Sequence, residues 1–258
     1  MTFENVADNL RESFRVVAAG RGAGEIRELP GVSIAAAGVT FQMFNAAFLS
    51  APVLTDAELE RRILLSTAHF NVRGLEWAYW VCNDWIDGRT RRKSRQMFER
   101  QGLRHAVDLP GMVADRIAPP LKPLPALTVR RVADVATRAD FCDIGSVCFH
   151  VPINWFREVF DNQAVWQQFA AYVGYWNEAP VSTTAIVMGG GAIGVYNVAT
   201  MPDHQRRGYG EAVMRYAVAE AQREHGIERT ILQSTPAGLR LYERMGYRTI
   251  TRVSVYAS

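Results

Sequence analysis

A glycine-bearing loop between a strand and a helix holds the residues best suited to chemistry in this sequence. The run Gln205-Arg206-Arg207-Gly208-Tyr209-Gly210 follows a β-branched segment and opens an amphipathic one. Its two glycines permit backbone conformations closed to other residues and let a ligand approach closely. Amides at the start of the helix then point outward, where the helix dipole and two arginines favour an anion. We predict that this loop binds a pyrophosphate.

Better-known phosphate loops do not fit this segment. A P-loop needs Gly-Lys-Ser/Thr, and no such run is present. A dinucleotide fingerprint needs a third glycine and an acidic residue about 20 residues further on, and both are missing here. The simpler alternative is a glycine turn beside two surface arginines, which the preceding strand and the following helix disfavour.

The loop resembles the acetyl-CoA loop of the GNAT N-acyltransferase superfamily, whose pattern is Gln/Arg-x-x-Gly-x-Gly/Ala. Gln205, Gly208 and Gly210 stand at its three defined places. The resemblance implies acetyl-CoA as co-substrate and backbone contacts to its pantetheine arm from the preceding strand. The strand residues so implied are Val198, Ala199 and Thr200, and the loop residues are Gln205, Arg206, Arg207, Gly208, Tyr209 and Gly210.

A second segment, Leu232 to Tyr247, resembles the family's strand-helix unit that ends in Tyr-x-x-x-Gly-Phe/Tyr. By this resemblance Tyr242 lies near the coenzyme sulfur and protonates the departing thiolate, as a phenol within hydrogen-bond distance can. Ser234, in the same segment, is assigned to the coenzyme site. The alternative role for Tyr242 is core packing with Leu239 and Met245.

The reaction implied by the family is direct attack of an amine on the thioester carbonyl, which a backbone amide near Val198 would polarise. Some relatives use a glutamate base on the strand that here spans Ala192 to Thr200, and this strand has no carboxylate. Asn197 and Tyr196 can order a water that carries the proton away, so Asn197 is our second catalytic candidate. Asp203 and His204 read as surface residues, and we assign no base.

The acceptor implied is a small-molecule or peptide amine. Two alternatives stay open: a non-catalytic acyl-CoA sensor that keeps the loop and lacks the base, and a related enzyme with a longer acyl chain or a hydroxyl acceptor. Free-thiol release with a panel of amines would separate the enzyme from the sensor.

The order of predicted elements after residue 126 is β-α-α-β-β-β-α-β-α-β. This order gives an α/β (α+β) class with a mixed, twisted sheet flanked by helices, which is the GNAT fold. Four prolines in positions 119–125 cannot sustain a helix or a central strand. We therefore predict two domains, 1–117 and 126–258, joined by a linker at 118–125.

The first half contains a faint echo of the second. Phe44-Asn45-Ala46-Ala47 resembles Tyr196-Asn197-Val198-Ala199, and Phe98 to Leu103 resembles Tyr242 to Tyr247. A predicted helix (56–71) and strand (75–82) lie between the two motifs in the same order as in the second half. Both matches together favour a degenerate GNAT-like copy, as in tandem GNAT proteins.

The stretch Ser50 to Asp56, at the place of the phosphate loop, lacks its glycines and arginines. We expect no coenzyme there, with Thr55 or Asp56 capping the following helix instead. The first half would then act as a scaffold and as one wall of the acceptor site. Trp77 and Tyr79 share one face of a predicted strand and Trp80 the other, which indicates a strand buried on both sides or an aromatic acceptor pocket.

Composition excludes several functional classes. The net charge is only +3, from 29 basic and 26 acidic residues, and no aromatics interleave the basic run at 89–95, so we expect no nucleic acid. The three cysteines lack paired spacing, which argues against a disulfide framework and a metal site. We find no signal peptide and no apolar run long enough for a bilayer, so we expect a cytoplasmic protein without membrane contact. A homodimer is left open.

Overall fold

Within the described residues, a mixed sheet of 11 strands extends through both halves of the chain. The computed structural model describes residues 2–160 and 162–258. The strands are β1 Glu25–Leu29, β2 Val32–Ala36, β3 Asn45–Leu49, β4 Ala78–Cys82, β5 Arg104–Ala114, β6 Thr128–Arg131, β7 Ala170–Trp176, β8 Ala179–Gly189, β9 Ala192–Thr200, β10 Thr230–Gln233 and β11 Arg248–Ala257. The helices are α1 Phe3–Ala19, α2 Asp56–Arg73, α3 Gly88–Arg100, α4 Val135–Phe149, α5 Ile153–Phe160, α6 Tyr209–His225 and α7 Leu239–Arg244. No helix within these ranges is both long and apolar enough to cross a membrane.

The second half follows the predicted order of elements from β6 to β11. Strand β9 begins and ends at the predicted residues, and α6 begins at the predicted Tyr209. Helix α7 begins at Leu239, later than the predicted Pro236, because the residues before it form a turn in which Thr235 O accepts from the amides of Gly238 and Leu239. The mixed sheet flanked by helices is the predicted fold class.

The last strand of each half is inserted between strands of the other half. The order across the sheet is β1-β2-β3-β4-β11-β5-β10-β9-β8-β7-β6. Strand β11 pairs with β4, and β5 pairs with β10, each antiparallel, while β5 and β11 pair with each other. The two halves therefore share one sheet and are related by an approximate two-fold arrangement around the β5–β11 pair. The predicted linker at 118–125 lies outside helix and strand, and the division into two domains stays a prediction.

The helices sort onto the two faces of this sheet. On one face α2 and α3 pack on the first half's strands, and α6 and α7 pack on the second half's. On the other face lie α1, α4 and α5. Successive side chains of β5 point to opposite faces of the sheet. Met112 belongs to the core under α6 and α7, and Val113 contacts the α1 side.

The first half repeats the second in topology. Three antiparallel strands, a helix, a strand parallel to the third, a second helix and a final strand occur in both halves. The match between Phe98–Leu103 and Tyr242–Tyr247 is confirmed at the helix ends. Leu103 N donates to Phe98 O at 3.1 Å, and Tyr247 N donates to Tyr242 O at 3.0 Å. Gly102 and Gly246 both take positive φ, 83° and 91°, between these partners.

The other short match, Asn45 with Asn197, is wrong in register. Asn45 is the first residue of β3, and the residue after it pairs with β4. On β9 pairing with β10 ends at Gly194, so Asn197 lies beyond the paired segment. The fully buried Asn45 closes the β2–β3 connection instead, donating to Val39 O and accepting from the amide of Gly38. The sequence match therefore pairs Asn45, which closes a turn, with Asn197, which lies within a strand.

Candidate active site

Strand β9 separates from β10 partway along its length. The parallel pairing covers only Ile193 with Thr230 and Gly194 with Ile231. On its other edge β9 stays paired with β8 as far as Thr200. The backbone groups of residues 195–200 that point away from β8 therefore have no strand partner. Such an opening between two parallel strands offers ready hydrogen-bonding groups to an extended ligand.

A β-bulge shapes the separated part of β9. Asn197 and Val198 together face one residue of β8, because the register shifts between Thr183 and Ala185. Asn197 adopts a φ of 48°, and its carbonyl oxygen accepts from the Thr183 hydroxyl at 2.8 Å. A bulge bends the strand and re-aims its groups, here at the mouth of the opening. The side-chain amide of Asn197 forms no hydrogen bond within the described ranges, so it is free for a ligand or a water.

The glycine loop folds back onto the end of β9. Gln205 Nε2 donates to Thr200 O at 3.2 Å, and a Cβ on Gly210 would lie 2.9 Å from the Thr200 hydroxyl oxygen. Gly208 precedes α6 in the left-handed conformation, with a φ of 83°, and supplies no side-chain cap. The first-turn amides of α6 are therefore left for an external anion.

The loop's cations are placed to reach that anion. The side chains of Gln205, Arg206 and Arg207 are exposed, and no ion pair holds either arginine within the part of the chain described. Tyr209 is placed differently, because its ring is buried between those of Trp176 and His204, with centroids 6.3 and 6.0 Å away. Only the backbone amide of Tyr209 is therefore left for the predicted ligand.

Tyr242 is buried in the core formed by α6 and α7, with 7% of its surface exposed. Burial raises the pKa of Tyr242 to about 12, so the phenol keeps its proton throughout the neutral range. Its hydroxyl has no hydrogen-bond partner among the described residues. A Cβ on Gly238 would lie 2.7 Å from the Tyr242 ring, so glycine at that position makes room for it. The packing role and the acid role predicted for Tyr242 are thus compatible.

Ser234, directly after β10, is fully buried. Its amide donates to Pro110 O at 2.9 Å, and its hydroxyl donates to Thr235 O at 2.7 Å. The amide bond fixes the far side of the opening to the exchanged strand β5, and the hydroxyl bond holds the local turn. A direct contact between Ser234 and the coenzyme stays a prediction.

Helix α1, for which the sequence patterns gave no role, anchors through Asn9 the hairpin of β8 and β9. Asn9 is fully buried, and its Nδ2 donates to the carbonyl oxygens of Val187, Gly189 and Ala192. Its Oδ1 accepts from the Tyr196 hydroxyl. Burial raises the pKa of Tyr196, and this bond occupies its proton, so Tyr196 holds β9 against α1 instead of ordering a water. Apolar residues at helical spacing in α1 were the available signal.

Among the described residues, no contact brings a side chain that could act as a general base to the opening between β9 and β10. His204 lies against aromatic rings, and Glu178 pairs with Arg130 at an exposed site. His150 ends α4 in the left-handed conformation. No group of three His, Cys, Asp or Glu side chains that could hold a metal occurs in the described ranges.

The corresponding region of the first half is closed. Strand β3 pairs with β4 through Phe48, and a further parallel bridge joins Val53 to Ile86. The connection is filled by Arg62, which is 3% exposed and donates to the carbonyl oxygens of Gly31, Ala51 and Pro52. Thr55 caps α2 through its hydroxyl, as predicted.

The second half combines a parallel strand pair that opens beside a bulge with a glycine loop at an uncapped helix. Residues 163–249 match the family described as the acetyltransferase (GNAT) domain. The matched segment includes the loop, β9 and α7.

Solved structures share the fold across both halves. A GCN5-related N-acetyltransferase from Kribbella flavida is 15% identical, with a TM-score of 0.72 over 96% of this chain and 94% of its own. A functionally unknown conserved protein from Staphylococcus epidermidis is 16% identical, with a TM-score of 0.65 over 91% and 94%. A tandem GNAT protein from the clavulanic acid biosynthesis pathway is 10% identical, with a TM-score of 0.53 over 94% and 87%. No curated protein matches the sequence.

Proposed function

We propose that the second half binds acetyl-CoA in the opening between β9 and β10 and transfers the acetyl group to an amine. The observation that carries this proposal is the end of β9–β10 pairing at Gly194, together with the uncapped helix α6 that follows β9 and the two unpaired arginines in the loop between them. The opening suits an extended amide-containing arm, and the helix start suits a pyrophosphate. One coenzyme per chain is expected, because Arg62 fills the counterpart region.

The proposed roles follow from the placement of each group. Backbone groups of Val198, Ala199 and Thr200 bind the pantetheine arm, and the loop amides with Arg206 and Arg207 bind the pyrophosphate. An amide in the bulge polarises the thioester carbonyl, where charge develops during attack. Because these donors belong to a bulged strand anchored on both β8 and α1, they need little reorganisation when the ligand binds.

Tyr242 and Asn197 complete the proposed machinery. The protonated phenol of Tyr242 donates to the coenzyme sulfur as the thiolate leaves. The free amide of Asn197 orients the amine or a water that accepts its proton. With no carboxylate on β9, we propose that the proton leaves through water to bulk solvent.

An aromatic row marks the side from which the acceptor would approach. It lies on the face opposite α6 and joins the two halves through ring contacts of 5.1 to 5.9 Å. Its members, all half-buried or exposed, are Trp80, Phe14, Phe44, Phe41 and Trp155. Phe44 packs in the same cluster as Tyr196 and Ala199 of β9. We propose that the first half supplies most of this wall, with Trp155 contributed by the second half, and that the wall favours an amine with an apolar body.

The missing carboxylate on β9 favours one second candidate, an acyl-CoA sensor without turnover. A single experiment separates the two: the full chain is incubated with acetyl-CoA and arylalkylamines, polyamines or lysine peptides, and free thiol is followed. Amine-dependent thiol release supports the transferase. Tight binding by calorimetry without release on any amine supports the sensor, and absence of binding contradicts both.

A further inference from the structure

The last residue of β10, Gln233, carries a buried side-chain amide without a partner. Its Nε2 is enclosed by protein atoms and donates no hydrogen bond to any described residue. Among the buried side-chain nitrogen and oxygen atoms that lack a partner in the described ranges, only this one and the Thr230 hydroxyl belong to β9 or β10. An unsatisfied buried donor costs free energy, so a ligand that brings an acceptor to it is favoured.

Gln233 lies on the α1 side of the sheet, at the point where β9 and β10 part. The last pair of these strands is Ile231 with Gly194, and both positions face α1. Two residues further along the strands, Gln233 and Tyr196 point to the same face. The Gln233 side chain approaches the Tyr196 hydroxyl but falls short of a hydrogen bond. Since Tyr196 directly precedes the bulge residue Asn197, the two side chains form the floor of the opening at its narrow end.

The polar groups around this floor are committed to other partners. The Tyr196 hydroxyl donates to Asn9 Oδ1, and Asn9 Nδ2 donates to three carbonyl oxygens of the β8–β9 hairpin. In the first half the last residue of β4 is Cys82, whose thiol lies 3.0 Å from the Thr251 hydroxyl. The closed half therefore satisfies the polar group at the end of this strand, and the open half leaves that of Gln233 for a ligand.

We infer that Gln233 donates an N–H to the carbonyl oxygen of the bound thioester, as a second donor opposite the bulge amide of β9. The inference rests on the proposed function, which places that carbonyl at the bulge. When the amine nitrogen bonds to the carbonyl carbon, the oxygen takes up the electron pair of the C=O bond, and the amine proton leaves through water. The oxygen's charge is stabilised by one donor from each strand, without reorganisation, until the C–S bond breaks and the sulfur takes the Tyr242 proton.

The test replaces the donor by groups of similar length. Gln233→Met has no N–H group, and Gln233→Glu offers a carboxylate that repels the oxyanion. Both should lower kcat about 100-fold, because the bond strengthens only as charge develops on the oxygen. The KM for the amine and the dissociation constant for acetyl-CoA should stay unchanged, by thiol release and calorimetry respectively. The matched control is Thr230→Val, which removes the other unpartnered group of β10, within its paired segment, and should keep full turnover.

Stability separates this role from a structural one. Gln233→Met removes an unsatisfied buried donor, so thermal unfolding should occur at the same temperature or higher. A drop in kcat together with a lower unfolding temperature would assign Gln233 a structural role and overturn the inference.

The kinetics separate the inference from the proposed function. A raised amine KM with normal kcat, or faster turnover in Gln233→Glu, would place Gln233 on the acceptor and overturn the inference alone. Normal kinetics in both variants would do the same. If the unmodified chain releases no thiol with any amine, the proposed transferase is overturned, and the inference with it.

Discussion

The connections after β3 and after β9 occupy matching places in the two halves and have opposite character. After β9 the chain leaves its parallel neighbour, passes a glycine in the left-handed conformation and starts a helix without a side-chain cap. After β3 the chain keeps its neighbour through the Val53–Ile86 bridge, and Thr55 caps the helix. One connection leaves polar groups for a ligand, and the other satisfies them within the protein.

The difference shows how one fold can either leave this connection open or close it with its own side chains. An open connection has unpaired amides and carbonyls that a ligand must satisfy. In the first half Arg62 and Thr55 do this work, so the backbone there is stable without a ligand. At the position of Tyr242 the first half has the buried Phe98, which stacks on Tyr256 of the exchanged strand and has no hydroxyl.

Reversing the charge of the β9 loop should have the largest effect. Arg207→Glu with Gly208→Asp should weaken acetyl-CoA by at least about 1000-fold, roughly 4 kcal/mol, because two carboxylates replace the anion's partners. Calorimetry measures the affinity, and circular dichroism checks the fold. The matched control is Leu54→Glu, at an exposed position of the β3 connection, which should bind normally. Equal affinity in the double variant would refute the site.

Replacing Arg62, which fills the connection after β3, should destabilise the protein without changing its affinity for the coenzyme. Arg62→Met should lower the free energy of unfolding by about 3 kcal/mol, because buried carbonyls and Glu58 lose their partner. Urea denaturation measures this, with the exposed neighbour substitution Arg61→Met as control. A parallel fall in acetyl-CoA affinity would mean that the first half also contributes to binding.

Substitutions of Tyr242 and of its counterpart Phe98 test the proposed role of Tyr242 as the acid. Tyr242→Phe should lower turnover about 100-fold while the dissociation constant for acetyl-CoA stays unchanged. Burial raises the Tyr242 pKa to about 12, so the protonated phenol persists as pH rises through 9 and its contribution should not decline there. Adding Phe98→Tyr to the Tyr242→Phe variant should not restore turnover. Unchanged turnover in Tyr242→Phe would remove this residue from the mechanism.

The smallest expected effect is on stability, and it tests whether the two halves end their corresponding helices in the same way. Gly102→Ala and Gly246→Ala should each destabilise the protein by about 1–2 kcal/mol, since both glycines hold the left-handed conformation at a helix end. The added Cβ meets open space at Gly102 and lies 3.5 Å from Ala118 at Gly246, so sterics do not separate them. Thermal unfolding measures both. A large difference between the two variants would contradict the equivalence of these ends.

Local features were predicted well from the sequence. The strand, glycine loop and helix around the proposed coenzyme site are contiguous in the chain, and the types of neighbouring residues indicate each of them. The helix-end glycines were matched correctly for the same reason, because their hydrogen bonds span only a few residues. The Asn45 match failed because a short motif carries no information about which strand residues face each other.

Long-range arrangements could not be predicted in this way. Asn9 reaches carbonyls 178 to 183 positions away, and nothing in its own neighbourhood indicates those partners. The burial of Arg62 and the exchange of β5 and β11 likewise depend on how distant segments meet. An Arg in an amphipathic helix is typically exposed, so only packing reveals that Arg62 is buried against the carbonyl groups of this connection.

By itself the sequence determined where the glycine loop and its flanking strand and helix lie, and that the first half has no such loop, because conformational freedom at glycine and charge at arginine are properties of single residues. Only the tertiary structure decided that the two halves form one sheet, that α1 holds β9 in place and that the Gln233 amide is buried without a partner where β9 and β10 part. These depend on which buried polar groups and apolar faces find partners when the whole chain folds.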